Sequence, residues 1–430
     1  MLKEESRSLA EYVFAHAETT PGRLATVSPV EALSYADLAV RVTHMAGFLL
    51  GIGVKPGDRV AALTTTRCDG FALFLAVNAI SAIWVGLNPR YRYREMEYVV
   101  NDAGASFLFF ISDFRGCDYR PDIRQLLQKC PTLQQAFCLD ADDSLAPMVA
   151  ACLKTTQGCA NGLEAALKNP HRWDDVAMLV DTSGSSGQPK GVLIPNKAMI
   201  HRTRVQISQL PMDDFPRVYN SYPMNHVGGI HWVSCYAMVA GGTVYFRENF
   251  DPDELLNLVE TEKINVLQFF PAMYKLLVDS PHFDIEKLRS VKWHFFSGAA
   301  ISEKMLKMLK MLGGKIITSW GMSETCGSVT YSDPDMDIET LANTIGRSVP
   351  EGEVRVINDA NEVCREGETG EIHVRTEFGM LGYFNRPEQT KSSMTPDGWL
   401  KSGDLALVLK GGTLRFIGRR SEMFKSGGYN

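Results

Sequence analysis

A loop rich in hydroxyl side chains and glycines carries the clearest chemical signal in the sequence. It follows an apolar run at 176–180 and reads Asp-Thr-Ser-Gly-Ser-Ser-Gly-Gln-Pro-Lys-Gly from Asp181 to Gly191. Glycines let backbone N–H groups turn toward an anion, hydroxyls add donors, and Lys190 adds a positive charge. The spacing is not that of a Walker A loop, because Gly191 rather than Ser or Thr follows Lys190. Composition alone leaves two interpretations open, a phosphate-binding loop and a flexible surface loop.

Two acidic residues and one histidine are further candidates for chemistry, and each also has an ordinary structural explanation. Glu324 could be a solvated acid at a helix end, and Asp404, which follows Ser-Gly, could cap a turn. His226 lies in an apolar segment, where a hydrogen-bonded core histidine is the alternative to a functional one. His231 is five residues further on, and neither histidine has a carboxylate nearby in sequence, so a metal-binding pair is not expected.

Alternating helices and apolar strands are predicted to position these residues. A capping-box-like start at Ser34 predicts a helix through Leu50, and residues 71–87 indicate a buried helix that runs into a strand. Asp251 begins a predicted helix that ends near Glu262. Such alternation is typical of an α/β fold with largely parallel sheets. Further strands are expected at 59–64, 265–270, 291–296 and 315–319, and a helix at 302–312.

From Thr344 onward, short β-type runs are separated by Gly, Asp, Asn and Pro. We therefore expect a large α/β region of two stacked, mostly parallel sub-domains, followed by a small β-barrel-like sub-domain. The expected boundaries are 1–170 for the first α/β sub-domain, 171–343 for the second, 344–418 for the β-rich sub-domain and 419–430 for a closing segment.

Composition and charge exclude several functional classes. The chain has 430 residues with 44 Lys+Arg and 50 Asp+Glu, a net charge of −6, which is typical of a globular enzyme and argues against a nucleic-acid partner. The N-terminus has no apolar region of the kind found in secretory signals. Nine scattered cysteines without a CxxC pair suggest neither a disulfide framework nor a zinc site. Polar residues within 71–87 argue against a membrane span. We therefore expect a cytoplasmic protein.

The loop and five further motifs together resemble a known family. The order Thr-Ser-Gly-x-x-Gly-x-Pro-Lys-Gly at 182–191 resembles the signature loop of the adenylate-forming superfamily, which comprises acyl- and aryl-CoA ligases, peptide-synthetase adenylation domains and beetle luciferases. The other motifs resemble the family's Tyr-Gly-x-Thr-Glu, Gly-Arg-Pro-x-Pro, Gly-Tyr, Gly-Trp-x-x-Thr-Gly-Asp and hinge motifs. They lie in that order at Trp320–Thr325, Gly346–Pro350, Gly382–Phe384, Gly398–Asp404 and Gly418–Gly428. The resemblance covers nearly the whole chain.

This resemblance implies an ATP-dependent acid–CoA ligase. In that reaction a carboxylate attacks the α-phosphorus of ATP, which gives an acyl-adenylate and pyrophosphate, and the thiol of CoA then displaces AMP. The attacking carboxylate is already ionised at neutral pH. The first step therefore needs charge neutralisation and in-line positioning rather than a general base. The implied cofactors are ATP, Mg²⁺ and CoA, and the implied partner is a small carboxylic acid.

The family pattern gives roles to residues around the phosphates. Lys190 and the loop hydroxyls would hold the β- and γ-phosphates, and Ser323 would donate to the α-phosphate. Glu324 would anchor Mg²⁺, a hard cation suited to carboxylate and phosphate oxygens. The implied catalytic residues are Lys190, His226, Ser323 and Glu324.

The nucleoside has its own implied contacts. Trp320 would lie against adenine, and Asp404 and Arg419 would contact the ribose. The full implied nucleotide-binding set is Thr182, Ser183, Gly184, Ser185, Ser186, Gly187, Lys190, Ser297, Gly298, Ala299, Ala300, Ser319, Trp320, Gly321, Met322, Ser323, Asp404, Phe416 and Arg419.

A Pro-x-x-His motif implies the position of the acid. The segment Pro223–His226 resembles the one whose histidine meets the substrate carboxylate and gates the pocket in acid–CoA ligases. No Asp or Glu occurs between Ser221 and Gly241, so an amino-acid substrate is not expected, because its buried ammonium would lack a carboxylate. Small and apolar walls suit an aromatic or medium-chain aliphatic acid. The implied acid-binding residues are His226, Val227, Gly228, Gly229, Phe270, Gly298, Gly321 and Met322.

The sequence departs from the family pattern at its end. Asn430 follows the hinge motif directly, where the family continues for about one more small domain that carries a catalytic lysine. We therefore expect an N-terminal domain that lacks the C-terminal domain and is poorly active alone. Ser421 stands where the family usually has Asp or Lys.

Two alternative functions stay open. The thiol acceptor could be the phosphopantetheine of a carrier protein instead of CoA, or the chain could be a non-catalytic nucleotide- or acyl-binding module. The second alternative is disfavoured by the joint presence of Lys190, Glu324, Asp404 and Arg419. The sequence also leaves open which acid is used and whether the protein is a monomer or a homodimer.

Overall fold

A computed structural model describes residues 8–140, 172–183, 189–349 and 352–422. The chain divides into two compact units. Unit 1 comprises Met1–Ser183, Pro189–Ile207 and Met212–Asn249, and unit 2 comprises Gly184–Gln188, Ser208–Pro211 and Phe250–Asn430. The sub-domain boundaries expected at residues 170, 343 and 418 remain predictions.

The described residues contain both helices and strands. The helices span Leu9–Thr19, Tyr35–Gly51, Cys68–Ala79, Tyr93–Ala103, Arg120–Lys129, Asn196–Gln209, Tyr236–Val239, Pro252–Glu262, Pro271–Val278, Glu303–Met311, Ile338–Ala342 and Pro387–Ser393. A π-helix spans Gly228–Cys235, and short 3-10 turns span Ile285–Leu288, Ser323–Thr325, Lys410–Gly412 and Arg420–Glu422. The strands are β1 Leu24–Val27, β2 Ala32–Ser34, β3 Arg59–Leu63, β4 Ile83–Leu87, β5 Phe107–Phe110, β6 Asp113–Phe114, β7 Cys117–Asp118, β8 Gln135–Cys138, β9 Val176–Ser183, β10 Pro189–Pro195, β11 Arg217–Asn220, β12 Thr243–Phe246, β13 Val266–Phe269, β14 Trp293–Ser297, β15 Lys315–Met322, β16 Gly327–Tyr331, β17 Arg347–Ser348, β18 Glu353–Ile357, β19 Thr369–Arg375, β20 Gly382–Tyr383, β21 Leu400–Val408 and β22 Leu414–Arg419.

Local chemistry accounts for where the best-predicted helices begin. The Ser34 hydroxyl accepts a hydrogen bond from the Asp37 backbone N–H at 3.2 Å, and the Asp37 carboxylate accepts the Ser34 N–H at 3.1 Å, which completes a capping box. The Asp251 carboxylate caps Pro252–Glu262 by accepting two backbone N–H groups. Both predicted starts are confirmed.

Unit 1 contains a sheet in the strand order β10-β9-β4-β3-β5-β8. All its neighbours are parallel except β9 and β10, which form an antiparallel pair. The helix Cys68–Ala79 is buried over almost all its residues and leads into the fully buried β4. The interpretation of 71–87 as a buried helix that runs into a strand is therefore confirmed. Unit 1 also holds a second group of strands in the order β11-β12-β1-β2.

Unit 2 begins with the parallel strands β13, β14 and β15, and β16 and β17 follow in antiparallel pairing. Because the carboxyl ends of parallel strands meet at one edge of a sheet, the residues after β13 and β14 lie beside the end of β15. The later β-rich region is an antiparallel sheet of four strands in the order β18-β19-β21-β22. The region that was expected to be β-barrel-like therefore forms a four-stranded sheet with β18 and β22 at its edges. The predicted α/β class is confirmed.

No helix among the described residues has the length and apolar character needed to cross a membrane. The cysteines in the described ranges are free thiols, most of them buried.

Candidate active site

The predicted phosphate loop follows the apolar run at 176–180, which the structure forms as part of β9, and β10 comes after the loop in the chain. In the antiparallel pair of β9 and β10, Lys190 lies opposite Thr182, and the Thr182 hydroxyl donates to the Lys190 carbonyl at 3.5 Å. The Tyr98 hydroxyl donates to the Pro189 carbonyl at 2.9 Å and so ties the start of β10 to the helix Tyr93–Ala103. The predicted loop residues Gly184, Ser185, Ser186 and Gly187, and the side chain of Ser183, lie outside the described residues.

Asp181, directly before this loop, has an unusual environment for a carboxylic acid. Burial raises the pKa of Asp181 to about 7, and the negative charge of Asp102 adds to the shift. A part of the Asp181 population is therefore uncharged at neutral pH. The uncharged form reduces the negative charge next to a loop that is predicted to bind phosphates.

In unit 2 the predicted nucleoside residues meet across β15, β21 and β22. The indole N–H of Trp320 donates to Oδ2 of Asp404 at 2.9 Å, and the Nε of Arg419 lies 3.2 Å from Oδ1. Asp404 is only 4% exposed, and its Oδ1 is buried without a hydrogen bond, because the Arg419 contact lies within ion-pair distance but not in hydrogen-bond geometry. Burial raises the pKa of Asp404, and the contacts of Trp320 and Arg419 oppose that rise. Asp404 thus keeps one carboxylate oxygen with unused acceptor capacity.

Trp320 is 7% exposed, and its ring packs in a hydrophobic cluster of unit 2. The cluster includes Val329, Val356, Ile372, Ala406 and Leu414. Sequence reasoning assigned Trp320 an adenine contact, whereas the described contacts of its indole are with Asp404 and this core. Phe416, also predicted to contact the nucleotide, is 41% exposed on β22.

The predicted metal carboxylate, Glu324, lies in the buried turn Ser323–Thr325 at the end of β15. Its Oε1 accepts a hydrogen bond from the Tyr383 hydroxyl at 2.9 Å, and its backbone carbonyl accepts the Met380 N–H at 2.8 Å. Burial and the neighbouring Glu324 carboxylate raise the pKa of Tyr383, so the phenol stays a donor. Cys326 ends the turn with a positive φ of 55°. Glu324 is therefore fixed at both its side chain and its backbone.

The carboxyl ends of β14 and β15 bring the predicted serines together. The Ser297 hydroxyl donates to the Ser319 carbonyl at 3.0 Å, and the Ser319 and Ser328 hydroxyls are 2.7 Å apart. Gly298, Ala299 and Ala300 follow Ser297 and are exposed. These contacts bring together residues predicted from separate motifs.

Two glycines in this part of unit 2 allow close approaches. Gly298 has a φ of 81°, and a Cβ there would lie 2.9 Å from the ring of Phe270, which is 40% exposed. A Cβ on Gly321 would lie 2.0 Å from the Gly327 carbonyl oxygen, at the irregular register where β15 turns against β16. Met322, next to Gly321, is half-buried.

In unit 1 the predicted acid-binding segment leads into the π-helix Gly228–Cys235. The Asn220 side-chain amide donates to the Gly229 carbonyl and the Ser234 hydroxyl, each at 2.8 Å, and its Oδ1 accepts the Tyr222 N–H at 2.9 Å. A Cβ on Gly229 would lie 2.4 Å from the Pro223 carbonyl oxygen. π-helical turns are rare and occur frequently at functional sites. Asn220 was not predicted, because no motif marks it.

Residues that follow β3 or lie in β4 contact the same segment. The Thr66 hydroxyl donates to the Tyr222 carbonyl at 2.6 Å, and the Trp84 indole donates to the Met224 carbonyl at 3.3 Å. A Cβ on Gly86 would lie 2.3 Å from the Asn225 Cα, so only glycine fits at that position of β4. Val227 is buried as the π-helix begins.

His226 is held in one neutral form. Its Nδ1 accepts the Gly228 backbone N–H at 3.1 Å, and desolvation by the surrounding protein lowers the pKa of His226 although the residue is exposed at the surface. A neutral ring that accepts at Nδ1 carries its proton on Nε2. His231 is different: its Nε2 lies 2.9 Å from the Met199 carbonyl oxygen, and burial lowers its pKa to about 4. His226 and His231 therefore have different hydrogen-bond partners.

The family model described as "AMP-binding enzyme" matches residues 13–384 of the chain. The chain belongs to the AMP-binding enzyme family. It is 28% identical over 440 residues to the indoleacetate–CoA ligase of Aromatoleum aromaticum, a match that covers 98% of this chain and 80% of the relative. It is also 28% identical to a feruloyl-CoA synthase of an Amycolatopsis species (99% and 81% covered) and 27% identical to the medium-chain fatty-acid–CoA ligase of Escherichia coli (98% and 74% covered).

Solved structures support the fold of this AMP-binding enzyme. ATP-bound MatB from Rhodopseudomonas palustris superposes with a TM-score of 0.87 at 24% identity, over 99% of this chain and 81% of that one. The N-terminal domain of FACL13 from Mycobacterium tuberculosis superposes with a TM-score of 0.82 at 22% identity, over 96% of this chain and 100% of that one.

The relatives confirm the predicted class of reaction, an acid–CoA ligase that activates a carboxylic acid with ATP and transfers it to CoA. The roles of single residues remain predictions. Sequence reasoning missed several side chains that hold the predicted ones, among them Asn220, Tyr383, Glu371 and Arg420. Tyr383 belongs to the Gly-Tyr motif and Arg420 to the hinge motif, whereas no motif marks Asn220 or Glu371.

Proposed function

We propose that this AMP-binding enzyme converts an aromatic or medium-chain aliphatic carboxylic acid to its CoA thioester through an acyl-adenylate. The relatives named for indoleacetate, ferulate and medium-chain fatty acids support this class of acid. Mg²⁺ is the proposed metal. A location in the cytoplasm, where ATP and CoA are available, agrees with the free cysteines of the described residues.

The observation that carries the proposed substrate class is the neutral His226 in a segment without acidic residues. No Asp or Glu occurs between Ser221 and Gly241, and the π-helix that follows His226 is buried along its length. An α-amino acid would have to bury its ammonium here without a partner, which is unfavourable. An acid with an apolar body meets no such penalty.

His226 is proposed to orient the carboxylate of that acid. Its Nε2–H is a single donor in a fixed tautomer, because Nδ1 is occupied by the Gly228 N–H. A neutral donor can hold the carboxylate without the strong pairing that an imidazolium would make, so the carboxylate keeps its nucleophilic charge. Lys190 is proposed to offset the phosphate charge that the carboxylate approaches.

Glu324 fits the chemistry of a magnesium ligand. Mg²⁺ in nucleotide-dependent enzymes is held by one or two carboxylates together with phosphate oxygens and water. Within the described residues no group of three or more metal-ligating side chains occurs, and Glu324 offers one buried, fixed carboxylate. Bound Mg²⁺ would neutralise phosphate charge, while the task of this chain is to hold Glu324 in place through Tyr383.

A thermal-shift panel of acyl-sulfamoyl-adenosines tests the proposed function. The mimics carry indoleacetyl, feruloyl, medium-chain, long-chain and phenylalanyl groups, and AMP is the reference ligand. A ligand at about 100 times its dissociation constant adds about 2.7 kcal/mol to the free energy of unfolding, which is a shift of a few degrees in Tm.

We expect an aryl or medium-chain mimic to raise Tm well above the value with AMP, and the phenylalanyl mimic to match AMP at most. A largest shift with the phenylalanyl mimic would contradict the substrate class. If no mimic and no nucleotide changes Tm, the adenylation function itself is wrong.

A further inference from the structure

Glu371, on β19, is a buried carboxylate that the reaction described above does not use. It is 8% exposed, and each of its oxygens has a strong donor. Oε1 accepts the Gly403 backbone N–H at 3.0 Å, and Oε2 accepts from Nη1 of Arg420 at 2.9 Å. The Nε2 of His373 lies 3.9 Å from Oε2.

Each of these two donors is adjacent in sequence to a residue that is predicted to contact the ribose. Gly403 precedes Asp404 on β21, and Arg420 follows Arg419 at the end of β22. Asp404 and Arg419 face each other in the register of these two strands. Glu371 therefore contacts the chain neighbour of each member of the Asp404–Arg419 pair, through the backbone N–H of Gly403 and through the guanidinium of Arg420.

The geometry around Gly403 needs such a support. Gly403 has a φ of 73°, and the pairing of β19 with β21 changes register between Glu371 and His373. The regular ladder of hydrogen bonds is thus interrupted where the chain approaches Asp404. The Glu371 carboxylate supplies the acceptor that the Gly403 N–H would otherwise lack.

The charge of Glu371 is also strongly favoured. Burial by itself would raise the pKa of Glu371, but the nearby His373 ring and the hydrogen bonds from the Gly403 N–H and Arg420 outweigh it and lower the pKa to about 2. Glu371 is therefore ionised at neutral pH. Its two charge-assisted hydrogen bonds are stronger and more directional than neutral ones.

We propose that Glu371 is a positioning residue that sets the Asp404–Arg419 pair for the ribose hydroxyls by holding Gly403 and Arg420. This inference rests on the proposed function. Arg420 also pairs with Asp359, so its guanidinium is fixed from two sides. The unused Oδ1 of Asp404 is the atom whose direction depends on this support.

The test is a comparison of AMP with 2′,3′-dideoxy-AMP as ligands of the wild-type chain and of Glu371→Gln. Glutamine keeps the size of the side chain but presents an NH₂ group to one of the two donors. We expect the affinity for AMP to fall about tenfold, which is about 1.4 kcal/mol, while the affinity for dideoxy-AMP stays unchanged. A residue that only stabilises the fold would lower both affinities by the same factor, which would overturn the inference.

Arg420→Ala is the second variant, since Arg420 is half exposed and its loss does not empty the core. It should lower the affinity for AMP but not for dideoxy-AMP. The double variant should bind AMP as tightly as the single variant with the lower AMP affinity, because both substitutions act through one network. Full additivity would contradict the proposed network.

Glu353→Gln is the matched control. Glu353 pairs with Arg375 at 2.7 Å on the same sheet, but both side chains are exposed and neither contacts Gly403 or Arg420. Its AMP affinity should equal that of the wild type. If the wild-type chain binds neither AMP nor any acyl-sulfamoyl-adenosine, the proposed function fails; if it binds them and Glu371→Gln binds AMP equally well, only the Glu371 inference fails.

Discussion

The two carboxylate oxygens of Asp404 differ in their hydrogen bonding. One carboxylate oxygen accepts the Trp320 indole N–H, and the other is buried without a hydrogen bond. A buried acceptor without a donor is unfavourable in a folded protein and usually has a functional explanation. A ribose hydroxyl would supply the donor that Oδ1 lacks.

Asp404→Ala should therefore weaken AMP and ATP by the same factor, about 100-fold, because two hydrogen bonds to a charged acceptor are lost. Binding of inorganic pyrophosphate should not change, since the ribose contributes nothing to it. Isothermal titration with the three ligands measures this. Equal losses for AMP and pyrophosphate would mean that Asp404 stabilises the fold and does not contact the ribose.

Tyr383 is the residue whose loss should change the metal requirement. Its hydroxyl donates to Glu324 Oε1, so Tyr383→Phe leaves that oxygen without its donor. We expect the Mg²⁺ concentration that gives half-maximal ATP binding to rise about tenfold, as for other partners of metal-binding residues, and AMP binding without metal to stay the same. A titration of ATP binding against Mg²⁺ measures both effects.

Tyr274→Phe is the control for Tyr383. Tyr274 is also buried in unit 2, but its hydroxyl donates to the Leu267 carbonyl at 2.9 Å. The control should lose stability without a change in the Mg²⁺ requirement. If the Mg²⁺ concentration for half-maximal ATP binding rises equally in both variants, the effect comes from general destabilisation.

Among the elements, the π-helix Gly228–Cys235 is the least regular and depends on one side chain. Asn220 makes three hydrogen bonds to Gly229, Ser234 and Tyr222, and it is fully buried. The π-helical widening leaves backbone groups that ordinary helical bonds do not satisfy, and Asn220 satisfies one of them.

Asn220→Ala should lower the free energy of unfolding by about 3 kcal/mol, since buried partners lose their hydrogen bonds. It should also weaken acyl-sulfamoyl-adenosine more than AMP, because the segment that it holds contains His226. Denaturant unfolding and isothermal titration give the two values. Asn343→Ala, which removes one exposed hydrogen bond to Glu339, should change stability by less than about 1 kcal/mol. A loss of the same size in both variants would contradict this role of Asn220.

Asp181, on β9, is predicted to make the stability of the folded protein depend on pH. The folded-state pKa of Asp181 is raised to about 7 from an ordinary value of 3.8, so the folded protein holds a proton that the unfolded chain releases. Its contribution to stability is therefore present at pH values below the unfolded pKa and is lost as the pH rises through the folded pKa.

Asp181→Asn removes this dependence. The difference in Tm between Asp181→Asn and the wild type should increase from about pH 4 to about pH 7 and then stay constant, with the variant more stable at high pH. Thermal unfolding over that pH range is the measurement. A difference that does not change with pH would show that Asp181 ionises normally in the folded protein.

For the molecule as a whole, the sequence predicted the elements whose signals are local. The capping box at Ser34 and the cap at Asp251 fix helix starts through contacts within one turn, so their residues could be read directly. The ordered motifs predicted the family for the same reason.

Contacts distant in sequence were not predicted. The bond from Trp320 to Asp404 joins residues 84 apart, and that from Arg420 to Glu371 joins residues 49 apart. Neither hydrogen bond is marked in the sequence by a periodic pattern or a characteristic spacing of residues. The adenine contact of Trp320 stays a prediction, and the sequence did not show that core residues pack around its ring.

For the whole fold, the lowered pKa of Glu371 predicts part of the loss of stability at acid pH. Because its pKa is lowered to about 2 from 4.5, its contribution to stability is complete above about pH 4.5 and is lost as the pH falls toward 2. That shift corresponds to a loss on the order of 3 kcal/mol. Glu371→Gln should therefore show a weaker dependence of the free energy of unfolding on pH in this range. An unchanged dependence would contradict the charged network around Glu371.

The main claim is that the chain binds the acyl-adenylate of an aromatic or medium-chain carboxylic acid. Isothermal titration of the best acyl-sulfamoyl-adenosine and of AMP, with the wild type, His226→Ala and Asp404→Ala, tests it most directly. We expect the wild type to bind the mimic at least about tenfold more tightly than AMP. His226→Ala should reduce that advantage without changing AMP affinity, and Asp404→Ala should weaken both ligands. A wild-type chain that binds the mimic no better than AMP would contradict the claim.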